Sequence, residues 1–182
     1  MNGKLVFAIT IMIALAAADA SAATPLILLV TGSAENGRPT IEGTTNLPDG
    51  AELMVTLSRR ESSYMAQDKL SVKNGRFKSS QFSNSSAPLL PGKYTLEVTG
   101  PIAAVQSVSR ALGDNYSNYS GPLLRRGRYG TTLKYESKLQ IPGQTSSAAD
   151  AAARKTAAAE RVAWLRKSCI EIPPTAERLT GK

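Results

Sequence analysis

The residues best suited to chemistry lie in the stretch "YSNYSGPLLRRGRY", which holds Tyr116, Tyr119, Arg125, Arg126, Arg128 and Tyr129. A guanidinium presents a planar fork of donors that fits a phosphate or a carboxylate. A tyrosine ring beside it can stack on a sugar or a base. The cluster therefore reads as a candidate site for an anion or a partner. The plainer alternative is a solvated loop whose tyrosines cover the edge of the fold, since charge runs usually face water. A second group, Val162, Trp164, Leu165 and Cys169, adds apolar area near the end of a basic segment and is the candidate partner contact. A helix carrying it would dock on a partner, on an anionic surface, or back on its own domain.

The rest of the inventory narrows the chemistry. The chain has no His, which removes the usual general base, most zinc sites and the common hydrolytic triads. None of the patterns G-x-S-x-G, G-x-x-x-x-G-K-[ST] or G-x-G-x-x-G occurs. Asp and Glu are scattered singly, so no carboxylate pair stands out. A non-catalytic protein without metal or cofactor is the expectation. Three Asn-x-Ser sites, at Asn84, Asn115 and Asn118, match glycosylation acceptors and matter only in a eukaryotic source. Lys and Arg exceed Asp and Glu by 22 to 14, a formal charge of +8. Such a balance favours nucleic acid, acidic lipid or acidic polysaccharide as partner, or simply keeps the chain soluble.

Elements must position these groups, and the first is a targeting segment. Lys4 precedes a run from Leu5 to Ala18 that is nearly all apolar, and Ala20-Ser21-Ala22 offers a signal peptidase small residues. The alternative is an uncleaved anchor, but the run is short for a membrane span. Cleavage after Ala22 is expected, with a periplasmic or secreted location and no integral span afterwards. About 160 residues then remain, still at +8, because the leader carries one Lys and one Asp. Cys169 is the only cysteine, so no internal disulfide is possible and an intermolecular one is.

The middle of the chain alternates like a sheet. Leu53, Val55 and Leu57 share one phase, as do Leu70 and Val72, then Tyr94, Leu96 and Val98, then Leu133, Tyr135, Leu139 and Ile141. Period-two runs with one polar face predict antiparallel strands on a core. Leu26 to Thr31 is apolar in both phases and reads as a strand buried on both sides, while Ile41 and Phe77 centre two weaker strands. Turn signals separate the runs. In "NLPDGA", Pro48 and Asp49 predict a type I turn closed by Gly50. Asn74-Gly75 predicts a tight hairpin, and Pro91-Gly92 the centre of a type II turn. Residues 102–129 are not decided between strand, helix and loop, with Asp114 to Tyr129 read as a long exposed loop. From Thr145 to Cys169 the chain is Ala-rich without Gly or Pro, which predicts a helix capped by Ser146 or Ser147. Asp150 falls in its first turn, where the helix dipole favours a negative charge. The Ala-rich first half is expected to be weakly held, and the end bearing Trp164 is expected to dock on the domain or on a partner.

The stretch "VKNGRFKSSQFSNSSAPLLPGKYTLEVTGP" resembles the prealbumin-like, carboxypeptidase-regulatory-like modules of exported proteins, through Asn74, Gly75, Phe77, Pro91, Gly92, Tyr94, Leu96 and Val98. The likeness spans residues 40 to 100 and implies an all-β, antiparallel Ig-like or prealbumin-like sandwich. It also implies a stability or binding module. Related surface domains build an internal Lys–Asn bond, but "LILLVTG" contains no Lys and Glu97 lies on the polar phase, so none is expected. The expected organisation is a leader at 1–22, a β-sandwich at 23–142, and a linker, Ala-rich basic helix and disordered C-terminus at 143–182. The expected function is an exported binding module for a protein or an anionic envelope polymer. The alternative is an envelope structural or assembly subunit that acts, and self-associates, through the C-terminal helix.

Overall fold

The computed structural model describes residues 22–168. The expected leader up to residue 21, Cys169 and the expected disordered C-terminus lie outside the described residues. In chain order the strands are β1 (Thr24–Pro25), β2 (Leu28–Ser33), β3 (Thr40–Thr45), β4 (Glu52–Arg59), β5 (Tyr64–Ser71), β6 (Arg76–Lys78), β7 (Gly92–Gly100), β8 (Tyr119–Ser120), β9 (Leu124–Gly127) and β10 (Gly130–Ile141). The α-helices are α1 (Ser109–Leu112) and α2 (Ser147–Lys167). The chain is mostly β, in antiparallel sheets, with a C-terminal helix. The larger sheet runs β5-β4-β7-β10-β9, the smaller runs β2-β3-β6, and β1 pairs with β8 in parallel.

Alternation becomes burial because successive side chains leave a strand on opposite faces. Val55 lies opposite Val98 and Leu57 opposite Leu96 where β4 meets β7. These four, with Leu53 and Tyr94, are buried in one core with Ile41 and Phe77 of the smaller sheet. The sheets touch closely: a Cβ on Gly32 of β2 would stand 2.8 Å from Leu139 of β10.

Two turns differ in detail from the expectation. Ala51 N–H donates to Pro48 C=O at 3.0 Å, and Gly50 takes φ +88°, so the turn is one residue later than predicted and uses the positive φ that Gly supplies. Gly92 is not the centre of a type II turn. It opens β7 at φ +144°, and the Arg59 guanidinium stands 2.7 Å from where its Cβ would be. The Asn74-Gly75 hairpin forms as predicted, with φ +50° and +66° and reciprocal 2.9 Å hydrogen bonds between Lys73 and Arg76.

Three larger expectations are corrected. The Leu26 to Thr31 run is buried on one side only: Leu26 and Leu28 face the core, while Leu29 is 64% exposed and Ile27 is exposed with it. The smaller sheet packs one face on the core, and the opposite phase, with Ile27 and Leu29, has no layer over it among the described residues. Residues 102–129, undecided from the sequence, form 3-10 turns at Ala103–Val105 and Asp114–Tyr116, α1, β8 and β9, so the segment from Asp114 to Tyr129, expected as a long exposed loop, is mostly exposed but carries short elements. In α2 the expected balance is reversed. Ser146 caps the helix by accepting from Ala149 N–H at 3.3 Å. Asp150 is buried and Ala153 and Ala157 are half-buried against the domain, whereas Trp164 is 62% exposed. Small alanines let the helix backbone approach the end of β5, and a buried ion pair outweighs apolar area in deciding which end is held.

Candidate functional site

The arginine cluster sits on the hairpin formed by β9 and β10. Gly127 pairs with Gly130, Arg126 with Thr131 and Arg125 with Thr132, leaving Arg128 and Tyr129 as a two-residue loop. The Arg128 guanidinium lies 5.8 Å from the centre of the Tyr129 ring, within cation–π range. Strand alternation then separates the arginines. Arg126 shares the face of buried Thr131, and Arg125 takes the opposite face. Arg126 and Arg128 line a groove of about 1000 Å³ together with Tyr119, Tyr129, Asn115 and the carboxylate of Asp114. Arg125 is not part of that lining.

The tyrosines divide in a similar way. Tyr129 is 82% exposed on the rim. Tyr119 is half-buried and donates its hydroxyl to Asn46 C=O at 3.2 Å, and burial raises its pKa. Tyr116 is 1% exposed and belongs to the core, so although it backs the groove wall it offers no free ring face there. Its hydroxyl donates to Pro101 C=O at 2.7 Å and accepts from Gln106 Nε2 at 2.6 Å. Gln106 Oε1 in turn accepts from Glu52 N–H at 2.8 Å. Burial pushes the Tyr116 pKa up to about 12. Tyr116 also adopts φ +63°, rare for an aromatic residue, and this buried network is what holds it there. It acts as a brace behind the groove.

Ion pairing divides the cations of the chain. On the outer face of the larger sheet, Lys134 bridges Glu97 at 2.8 Å and Lys69 bridges Glu52 at 2.9 Å. The hydrogen bond that Lys134 donates to the Glu97 carboxylate is the main cause that raises its pKa. Arg125, Arg126 and Arg128 have no ion pair among the described residues. Unpaired guanidiniums in an open groove keep their donors for a ligand.

The second candidate group is not brought onto the domain. Val162 and Trp164 are exposed on the far half of α2, Leu165 is partly covered, and Cys169 lies outside the described residues. No helix among the described residues is long and apolar enough to cross a membrane.

Two features were not anticipated from sequence. One is the buried pair of Arg59 and Asp150, which joins β4 to α2. The other is a second, mainly basic groove of about 840 Å³ where β5 and β6 lie side by side, lined by Lys69, Lys73, Arg76 and Lys78 together with one acidic residue, Glu42. In sequence, Lys69 and Lys73 lie on the polar phase that flanks Leu70 and Val72, and nothing marks Arg76 or Lys78. The available signal was the Asn74-Gly75 turn, which sets Lys73 and Arg76 opposite each other. Among the described residues no group of three or more Cys, Asp or Glu could hold a metal ion. Ser62 Oγ is buried without a hydrogen-bond partner among those residues, and the chain has no His to activate it.

The chain matches no family model, no curated protein and no solved structure.

Proposed function

We propose that the chain is a non-catalytic binding module with a prealbumin-like, Ig-like β-sandwich, exported to the periplasm or beyond, where it holds an anionic envelope polymer. The observation that carries this reading is the groove of the β9–β10 hairpin. Two guanidiniums without ion pairs, Arg126 and Arg128, line it beside the exposed ring of Tyr129. A fork of donors recognises carboxylate or sulfate, and the ring face packs on a sugar. The formal charge of +8 adds long-range attraction to the same class of ligand.

The experiment is equilibrium binding to polygalacturonate at low and at physiological salt. Wild type binds and weakens as salt rises, because binding releases counterions. Arg126→Ala/Arg128→Ala loses affinity by about tenfold or more, as expected for two charge-assisted contacts. Arg125→Ala, on the opposite face, loses less. Binding that is equal in all three proteins, or insensitive to salt, refutes the proposal.

A second reading is assembly within the envelope through α2, with self-association as its simplest form. It rests on the exposure of Val162 and Trp164 at the end of a helix that is anchored only near its start. Light scattering of wild type against Trp164→Ser and Cys169→Ser tests it: association lost in Trp164→Ser supports this reading, and a monomer in every case refutes it.

A further inference from the structure

We infer that the groove between β5 and β6 is a second polyanion site and that one molecule thereby bridges two strands of acidic polysaccharide. This rests on the polymer-binding reading above. Lys73 and Arg76 face each other across the Asn74-Gly75 turn and are fixed there by reciprocal 2.9 Å backbone hydrogen bonds. Neither has an ion pair among the described residues. Lys78 follows Arg76 on the same face of β6, about 7 Å further along the strand. Its bond to Glu42 is a long 3.5 Å between exposed groups, which a polymer carboxylate can displace. Lys69 closes the row from β5 and shares its charge with Glu52.

The charges are spread along an open groove rather than converging on one point. That layout fits a linear polymer with repeated acidic groups and not a single small anion. The lining also selects among polymers. Its aromatic residue, Phe77, is 4% exposed and offers no ring face, so bases have nothing to stack on. Thr31 and Thr44 supply hydroxyls instead, which suit sugar. Acidic polysaccharide is the class that this site recognises.

Bridging follows from the sheet order. The second groove borders β5 and the arginine groove borders β9, and these are the two edges of the larger sheet. Four strand spacings of about 4.8 Å put those edges roughly 19 Å apart. Two polymer strands fit there without touching each other.

The test uses the mature chain, a galacturonate octamer for stoichiometry, and long polygalacturonate for clustering by light scattering. Each protein alone, without polymer, sets the baseline. The substitutions are on exposed side chains, and circular dichroism checks each fold. Wild type should bind two octamers and cluster the long polymer. Lys73→Ser/Arg76→Ser and Arg126→Ala/Arg128→Ala should each bind one octamer and fail to cluster. An unchanged stoichiometry in Lys73→Ser/Arg76→Ser overturns the second site while the binding reading stands. Clustering that survives in both variants overturns bridging. Tighter binding to single-stranded DNA of equal charge by the Arg126→Ala/Arg128→Ala variant overturns the choice of polymer. Absence of any octamer binding overturns the underlying reading and this inference together.

Discussion

Arg59 and Asp150 stand 91 residues apart in sequence and meet in two parallel hydrogen bonds of 2.7 and 2.8 Å. Arg59 ends β4 and Asp150 lies in the first turn of α2, so this fork joins the larger sheet to the C-terminal helix. The Arg59 side chain is 4% exposed, and its guanidinium also stands 5.7 Å from the centre of the Tyr94 ring. Its other carboxylate, Glu61, is at 3.7 Å and exposed, a much weaker contact.

Asp150→Ala should destabilise the protein by about 3–5 kcal/mol, because it leaves a buried guanidinium without its partner. Replacing both members together, as Arg59→Met/Asp150→Leu, should cost far less, since no uncompensated charge is then left. Urea titration of the three proteins measures this. A single variant no less stable than the double one would show that the pair carries no such constraint.

Truncation separates the two halves of α2. Ending the chain after Glu160 removes the exposed Val162 and Trp164 and should leave the unfolding free energy within about 0.5 kcal/mol of wild type. Ending it before Ser147 also removes Asp150 and should cost as much as Asp150→Ala. Equal midpoints for both truncations would contradict the anchoring described above.

Within the core, Leu96→Ala should cost about 2–5 kcal/mol, the range for a buried leucine whose cavity only partly collapses. Thr95, one residue earlier, points outward and accepts a hydrogen bond from Lys138 at 2.7 Å on an exposed surface. Thr95→Ala should therefore change stability by about 0.5 kcal/mol or less. The ratio of the two effects reads the phase of β7 directly.

Alkaline stability should report Tyr116. Its folded pKa is raised from 10.0 to about 12 by burial, so folding favours the neutral phenol. The contribution is complete below pH 10 and is lost as pH rises from there toward 12. Tyr64, also raised to about 12, acts in the same window. Tyr116→Phe should lower stability at neutral pH by roughly 0.5–1.5 kcal/mol through the lost hydrogen bonds. It should also flatten the decline between pH 10 and 12 relative to wild type, as followed by circular dichroism. An unchanged slope would place Tyr116 outside that titration.

The sequence by itself determined the antiparallel β class, the inward phase of β4 and β7, the Asn74-Gly75 hairpin, and the helix with a serine cap at Ser146 or Ser147. Each is set by a local rule, either period-two alternation, positive φ at adjacent turn residues, or a side-chain oxygen before the first helical turn. Only the tertiary structure decided which apolar phases find a cover. Leu28 and Leu29 read alike in sequence, yet the opposing sheet reaches only one of them. Asp150 looked like a residue placed for the helix dipole, and its partner became visible only when folding carried Arg59 to it. Gly92 looked like a turn residue, and the reason for glycine there is the guanidinium packed against it. The candidate site followed the same division. The arginines were legible as a cluster, but strand alternation parted Arg125 from Arg126, and burial withdrew Tyr116 into the core. Of the groove between β5 and β6, only the facing of Lys73 and Arg76 across the Asn74-Gly75 turn was legible. Its cations come from two strands of different sheets and the turn between them, and no spacing rule along a chain encodes which sheet edges will lie side by side.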